Sequence, residues 1–189
     1  YRSVMRAARA EGLKVVGHAP RNIGMEPVFA EGQDALAHVE EYIYAHYRFG
    51  REGRGLPDGI EALTDRIVSR TRAAGVHVIA NLTAYHGIWK QAVDVRPLLA
   101  RPEMAFVPRG IRHNWEPERN TYVRRFGGSP RPFEEWYGVL QSLVADLDRA
   151  GVPLMAGSDA PIPCVVPGFS LHDEVQDLVA AGLTPYRAL

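Results

Sequence analysis

Two histidines and one aspartate of this chain each follow a short apolar run of the kind that forms a buried strand. With the runs before them, they are His18 after 15–17, His38 after 35–37 and Asp159 after 152–156. Neutral imidazoles and carboxylates are ligands of zinc and similar ions, and a catalytic site keeps one position open for water. The residues therefore predict a divalent metal site that activates water at neutral pH.

Each of these residues also has a simpler interpretation. A lone histidine in a strand is usually an ordinary core or surface group, so one alone would indicate little. Two histidines at equivalent strand ends, with an aspartate at a third, favour metal binding over that interpretation. Asp159 can also act as a general base, because a carboxylate beside the water can take its proton and pass it to a leaving nitrogen.

Three further side chains are candidate substrate contacts. Tyr85 and His86 directly follow the third predicted strand, and loops at strand ends carry function on such scaffolds. His172 lies in the first turn of a later predicted helix. A local structural role is the alternative for His172.

Other chemically capable side chains are interpreted as structural. His77 begins its predicted strand, far from the strand ends that carry the candidate ligands, whereas His46 and His113 lie in polar connections and are expected to be solvated. Cys164 is the only cysteine, so an internal disulfide is excluded. No neighbouring histidine indicates that Cys164 is a nucleophile.

Hydrophobic periodicity predicts strict alternation of helices and strands. Strands are predicted at 13–17, 35–39, 76–82 and 152–156, and helices at 1–11, 25–32, 60–74, 136–151 and from 170 onwards. Ser170 and Asp173 indicate a capping box at the start of the last long helix, with Val175, Leu178 and Val179 facing inward. Alternation of this kind with apolar strands predicts an α/β fold, a parallel sheet covered by helices.

Two segments are predicted to be irregular. Residues 49–59 form a polar, glycine-rich loop, and residues 84–132 form a proline- and arginine-rich, lid-like insertion that would shape substrate choice. The candidate ligands then lie at carboxyl ends of strands, the functional edge of parallel sheets.

Composition excludes some classes of partner. The 22 basic and 22 acidic residues cancel, and no basic run indicates nucleic-acid binding. No apolar run approaches the roughly 18 residues that suggest a membrane span. We therefore expect one domain over residues 1–189, with no nucleic-acid or membrane partner.

Four short motifs occur in order along the chain. They are Gly17–Ala19, Ala37–Glu40, Gly157–Ala160 and a tail that runs from Pro167–His172 to Ala181–Pro185. Together they resemble the second half of an amidohydrolase-superfamily enzyme, most closely the imidazolonepropionase-like and Xaa-Pro-dipeptidase-like hydrolases. The resemblance implies a (β/α)8 TIM barrel, of which this chain covers about strands 5 to 8. It also implies hydrolysis of C–N bonds in amides, cyclic amides or dipeptides with one or two divalent metal ions, zinc foremost.

By this resemblance, His18 and His38 are the metal ligands of the fifth and sixth strands. Asp159 is the eighth-strand residue that binds metal and serves as general base. The family's first-strand His-x-His pair has no counterpart here. Its fourth-strand lysine has none either, because Lys14 precedes His18 on the same strand. These elements would precede Tyr1, so we expect the isolated half-barrel to be inactive. Its expected partners are a small-molecule substrate, the missing N-terminal half and a second copy in a homo-oligomer.

Alternative functions remain open at this point. A lyase, a deaminase or a lactone-cleaving enzyme could use the same ligands. A non-catalytic half-barrel that acts as a binding or assembly module is an alternative from another class. An open, doubly wound sheet that binds a nucleotide is disfavoured, because no Gly-x-Gly-x-x-Gly motif or phosphate loop follows any strand.

Overall fold

The structure, a computed structural model, describes residues 1–46 and 60–189, so the predicted loop at 49–59 lies outside the described residues. Its strands are β1 (Val16–Gly17), β2 (Ala35–Ala37), β3 (His77–Ile79) and β4 (Leu154–Met155). The first helices are α1 (Arg2–Ala10), α2 (Glu26–Ala30), α3 (Glu41–His46), α4 (Ile60–Ala74) and α5 (Leu82–Asp94). The later ones are α6 (Arg96–Leu99), α7 (Arg109–His113), α8 (Thr121–Phe126), α9 (Arg131–Arg149), α10 (Phe169–Ala180) and α11 (Pro185–Ala188), with a 3-10 helix at Pro102–Phe106.

The four strands form one parallel sheet in the order β1-β2-β3-β4, as the alternation of elements predicts. Val16 pairs with Ala35, Ala35 with His77, and Val78 with Leu154. Leu36 and Val78 are fully buried, in keeping with a sheet that needs apolar side chains on its covered face. The predicted parallel α/β arrangement is confirmed for these strands.

The described chain divides into two compact units. We call Tyr1–Ala80 with Ser142–Met155 the sheet unit, because it contains all four strands. We call Asn81–Gln141 with Ala156–Leu189 the helical unit. None of the described helices combines the length and apolarity that crossing a membrane requires.

In the sheet unit, helix ends and buried side chains fix the strands. Gly75 has a φ of 66°, the left-handed conformation that ends α4 and returns the chain to β3. Tyr42 of α3 is fully buried, and its hydroxyl lies 2.8 Å from that of Thr71 on α4. Burying a tyrosine with its hydroxyl paired gives a large apolar contact without an unsatisfied polar group, so α3 is firmly attached to α4.

The helical unit corrects the prediction of an irregular excursion at 84–132. Most of that segment consists of α5 to α8 and the 3-10 helix. Its apolar core contains Val95, Leu98, Met104, Val107, Trp115, Cys164 and Val166. The third strand is also shorter than predicted, because Asn81 takes a φ of 54° and α5 begins at Leu82.

Three smaller predictions are wrong. Ser170 is not a helix cap, because α10 begins at Phe169 and the Ser170 hydroxyl donates to Oγ of Ser158 at 2.9 Å. His46 lies at the end of α3 and His113 at the end of α7, so neither lies in a connection. The buried face of α10 also differs from the predicted one, since it contains Ser170, Glu174, Asp177 and Leu178.

Candidate functional site

The imidazole rings of His18 and His38 lie together at the carboxyl end of the sheet. His18 directly follows β1 and His38 directly follows β2, and these strands are parallel neighbours. Adjacent strands lie about 4.8 Å apart, so side chains at neighbouring strand ends can meet. The ring centroids of the two histidines are 4.8 Å apart, with the rings nearly perpendicular at 88°.

Unusual backbone conformations occur just after three of the four strands. His38 has a φ of 85°, Asn81 of 54° and Asp159 of 50°; among the described residues, the other positive-φ residue besides glycines is Cys164. Residues other than glycine rarely take positive φ, and the cost is of order 1–3 kcal/mol each. Such strain clusters at functional sites, which supports a functional role for these strand ends.

Two buried glutamates contact the paired imidazoles. Oε1 of Glu41 lies 2.8 Å from Nδ1 of His18, and Oε1 of Glu40 lies 3.2 Å from Nδ1 of His38. Only 3% of Glu41 and 7% of Glu40 are exposed. Burial raises the pKa of the Glu40 carboxyl above its usual value, and contact with His38 partly offsets this.

Neither glutamate is predicted from the sequence to be part of the site. The available signal was two consecutive carboxylates directly after the apolar segment that carries His38, at positions where burial is costly without partners. A carboxylate on Nδ1 holds the proton at that nitrogen and leaves the lone pair of Nε2 for a metal. The geometry of His18 and His38 therefore suits metal ligation through Nε2.

This donor set fits part of a divalent metal site. Zinc binds neutral imidazole nitrogens, and its histidine ligands commonly donate their other N–H to a carboxylate. Across 1–46 and 60–189, however, no group of three or more His, Cys, Asp or Glu side chains is arranged to hold a metal ion. A catalytic zinc takes three protein ligands, and His18 and His38 could supply two of them.

Asp159 belongs to the helical unit, four residues after β4 ends. The residue is exposed, and its carbonyl accepts a hydrogen bond from the N–H of Ile162 at 3.2 Å. Burial and the charge of Asp159 together raise the pKa of the Tyr122 hydroxyl. Tyr122 of α8, which the sequence analysis did not single out, is therefore in the electrostatic field of Asp159.

A buried amide network fixes the segment that follows Asp159. Asn120 is fully buried; its Nδ2 donates to Oε1 of Gln91 at 2.7 Å, and its Oδ1 caps α8 by accepting from the N–H of Tyr122 at 2.9 Å. Nε2 of Gln91 in turn donates to the carbonyl of Pro163 at 2.8 Å. The network thereby attaches both α8 and the Asp159 segment to α5.

The three predicted substrate contacts lie in different environments of the helical unit. Tyr85 is buried, with its ring 6.0 Å from that of Phe133. His86 has Nδ1 2.7 Å from Oδ1 of Asp177, which restricts its ring, whereas His172 is exposed on α10. Their role in substrate binding stays a prediction.

Glu174 is a further buried carboxylate of the helical unit. It is fully buried, and its Oε2 accepts the backbone N–H of Thr83 at 2.8 Å in the first turn of α5. Burial, together with the nearby charge of Asp177, raises the pKa of Glu174 from 4.5 to about 8. Protonation of this side chain is therefore linked to folding.

We expect the difference in unfolding free energy between the wild type and Glu174→Gln to depend on pH. Because the pKa of Glu174 is higher in the folded state, folding takes up a proton between pH 4.5 and about 8, and stability falls as pH rises through that window. The wild type should lose on the order of a few kcal/mol of unfolding free energy across this window, whereas the Gln side chain cannot titrate. Denaturant unfolding of the wild type and of Glu174→Gln at pH 5 and pH 9 measures the two free energies. A difference between the two proteins that does not change with pH would contradict the prediction.

Comparison with known proteins indicates the fold. No family model matches the chain, and no curated protein sequence matches it. Among solved structures, it is similar to AH, a bottromycin amidohydrolase, with a TM-score of 0.68 and 21% sequence identity over 98% of this chain. The match covers 40% of that enzyme's chain, so this chain spans less than half the length of its structural neighbour. At this identity the similarity shows an amidohydrolase-like α/β fold.

Proposed function

We propose that this chain is the C-terminal half of a TIM-barrel, metal-dependent hydrolase that cleaves a C–N bond in a small amide, cyclic amide or dipeptide. The observation that carries the proposal is the His18–His38 pair at adjacent strand ends, with ring centroids 4.8 Å apart. Each ring also has a buried carboxylate on its Nδ1. That combination is characteristic of histidines that bind a metal.

The order of the strands supports the barrel assignment. Consecutive strands of a TIM barrel are parallel neighbours joined by helices, and β1 to β4 have this order. The four strands would be strands 5 to 8, with the preceding half supplying the rest and further ligands. The similarity to an amidohydrolase over 98% of this chain supports the same assignment.

In the proposed reaction, His18 and His38 would hold one or two divalent ions, zinc foremost, through Nε2. The chemistry that such an ion would supply is a Lewis acid and a water whose pKa is lowered to about 7. Asp159 takes a proton from the attacking water and delivers it to the leaving nitrogen. Tyr85, His86 and His172 are the candidates for contacts that orient the substrate.

One observation favours the alternative of a non-catalytic binding or assembly module. Within the described part of the chain, no third ligand joins the two histidines. A half-barrel that retained a histidine pair without a complete ligand set would have this arrangement. The two candidate functions predict a different metal content and a different activity for the protein, and both quantities can be measured on one preparation.

We expect the purified full-length protein, by which we mean this chain together with the N-terminal half that the proposal requires, to contain at least one equivalent of zinc. It should hydrolyse at least one member of a panel of N-acyl amino acids, cyclic amides and Xaa-Pro dipeptides. Removal of the metal with a chelator should abolish hydrolysis, and added zinc should restore it, because the proposed chemistry depends on the ion. Protein that binds no divalent metal and cleaves none of these substrates would favour the non-catalytic module.

A further inference from the structure

We propose that Glu40 and Glu41 are positioning residues that hold the rings of His38 and His18 in the tautomer and orientation required for metal binding. The inference rests on the proposed function and extends it to two residues that touch neither metal nor substrate. Each glutamate serves a different histidine: Glu41 contacts His18 on the neighbouring strand, whereas Glu40 contacts His38, two residues before it.

Helix α3 fixes the two carboxylates. It begins at Glu41, and the N–H of Glu41 donates to the carbonyl of His38 at 3.2 Å. The N–H of Tyr44 donates to the carbonyl of Glu40 at 3.1 Å, and Tyr42 anchors the helix to α4. A metal ligand on a short loop gains precision when its supporting groups lie on a rigid, packed element.

The charge of the cluster is suited to a divalent cation. Two adjacent carboxylates with 7% and 3% exposure are costly to bury as anions unless charge compensates them. Their observed partners, the Nδ1 atoms of His38 and His18, supply hydrogen bonds but no charge when the imidazoles are neutral. A divalent ion on the Nε2 side would balance both carboxylates through the rings.

Replacement of either glutamate by glutamine keeps the shape but changes the hydrogen bonding. A glutamine amide can donate to Nδ1, which moves the imidazole proton to Nε2 and blocks the metal-binding lone pair. Loss of such supporting groups typically weakens metal affinity by about 10- to 100-fold. The effect should be larger for Glu41→Gln, because the His18 side chain is 61% exposed and the His38 side chain 12% exposed. Packing therefore helps to orient His38 and does less for His18.

The test measures zinc affinity of the full-length wild type, E40Q and E41Q by competition with a chromophoric chelator. E116Q is the matched control, because Glu116 contacts His113 at 3.0 Å in an exposed pair unrelated to the site. Selective 15N-histidine NMR reports the tautomer of each ring, a readout independent of activity. E41Q in an H18A background separates positioning from a general structural effect, since Glu41 should have no further effect once its ring is absent.

We expect zinc affinity to fall about 10- to 100-fold in E40Q and E41Q and to stay unchanged in E116Q. We also expect E41Q to add nothing to H18A. If circular dichroism shows that E41Q does not fold, the zinc affinity and the histidine tautomers of E40Q decide the test. Zinc affinity and tautomers unchanged in both variants would overturn the inference and leave the proposed function intact. A wild type without zinc affinity would overturn the proposed function itself.

Discussion

Replacing His38 with alanine should remove most of the bound metal from the full-length protein and lower kcat/KM by about three orders of magnitude. The residue is proposed as one of the ligands that hold the ion, and Lewis-acid stabilisation by a metal contributes several kcal/mol to catalysis. Its alanine variant also leaves the Glu40 carboxylate without its imidazole partner. Metal analysis and steady-state kinetics of the same preparation measure both effects. We expect His18→Ala to behave in the same way.

His77→Ala is the matched control for these variants. His77 is an exposed histidine of the same sheet, but it begins β3 and so lies at the opposite strand end from the pair. The control should keep wild-type zinc content and activity. Equal losses of zinc and activity in His77→Ala and His38→Ala would contradict the assignment of the ligands. Full zinc content in His18→Ala and His38→Ala would contradict it as well.

Asp159→Asn should lower kcat by about 10²- to 10⁴-fold, the range for loss of a general acid–base group. Asparagine keeps an oxygen that can face a metal, but it cannot accept a proton from water. The variant should therefore retain most of its zinc while its kcat falls. Zinc analysis beside steady-state kinetics separates the loss of a base from the loss of a ligand.

Asp94→Asn serves as the control for the Asp159 variant. Asp94 belongs to the same helical unit, and its carboxylate pairs with Arg96 on the exposed end of α5. This substitution should leave kcat unchanged. A kcat for Asp159→Asn within about threefold of wild type would remove Asp159 from the proposed mechanism.

The parallel sheet could be predicted because its signals are local. The apolar runs and the glycine that ends α4 both act within a few residues. The structure gives α4 as Ile60–Ala74, the predicted bounds. Local signals of this kind also located His18 and His38 at neighbouring strand ends.

The sequence does not predict the helices of residues 84–132, because proline disrupts a helix interior and a proline-rich segment therefore favours irregular structure. Pro97 and Pro102 lie in the first positions of α6 and of the 3-10 helix, and Pro108 directly precedes α7. Proline is favoured at a helix start, where its missing N–H and fixed φ cost nothing. Proline alone therefore does not distinguish the start of a helix from its end.

The buried face of α10 and the support of the histidines depend on contacts distant in sequence. Glu174 faces inward because its carboxylate accepts from the first turn of α5, 91 residues earlier in the chain. Glu41 likewise contacts His18 from 23 residues away. Hydrophobic periodicity assigns every carboxylate to the solvated face of a helix, since it carries no information on partners in other elements.

The most direct test of the central claim, that His18 and His38 bind one divalent ion, is zinc K-edge X-ray absorption spectroscopy of the full-length protein. We expect at least two imidazole ligands with Zn–N distances of about 2.0–2.1 Å. We also expect a spectrum with one imidazole fewer in His38→Gln and in His18→Gln. A zinc site without imidazole scattering, or one unchanged in both variants, would contradict it.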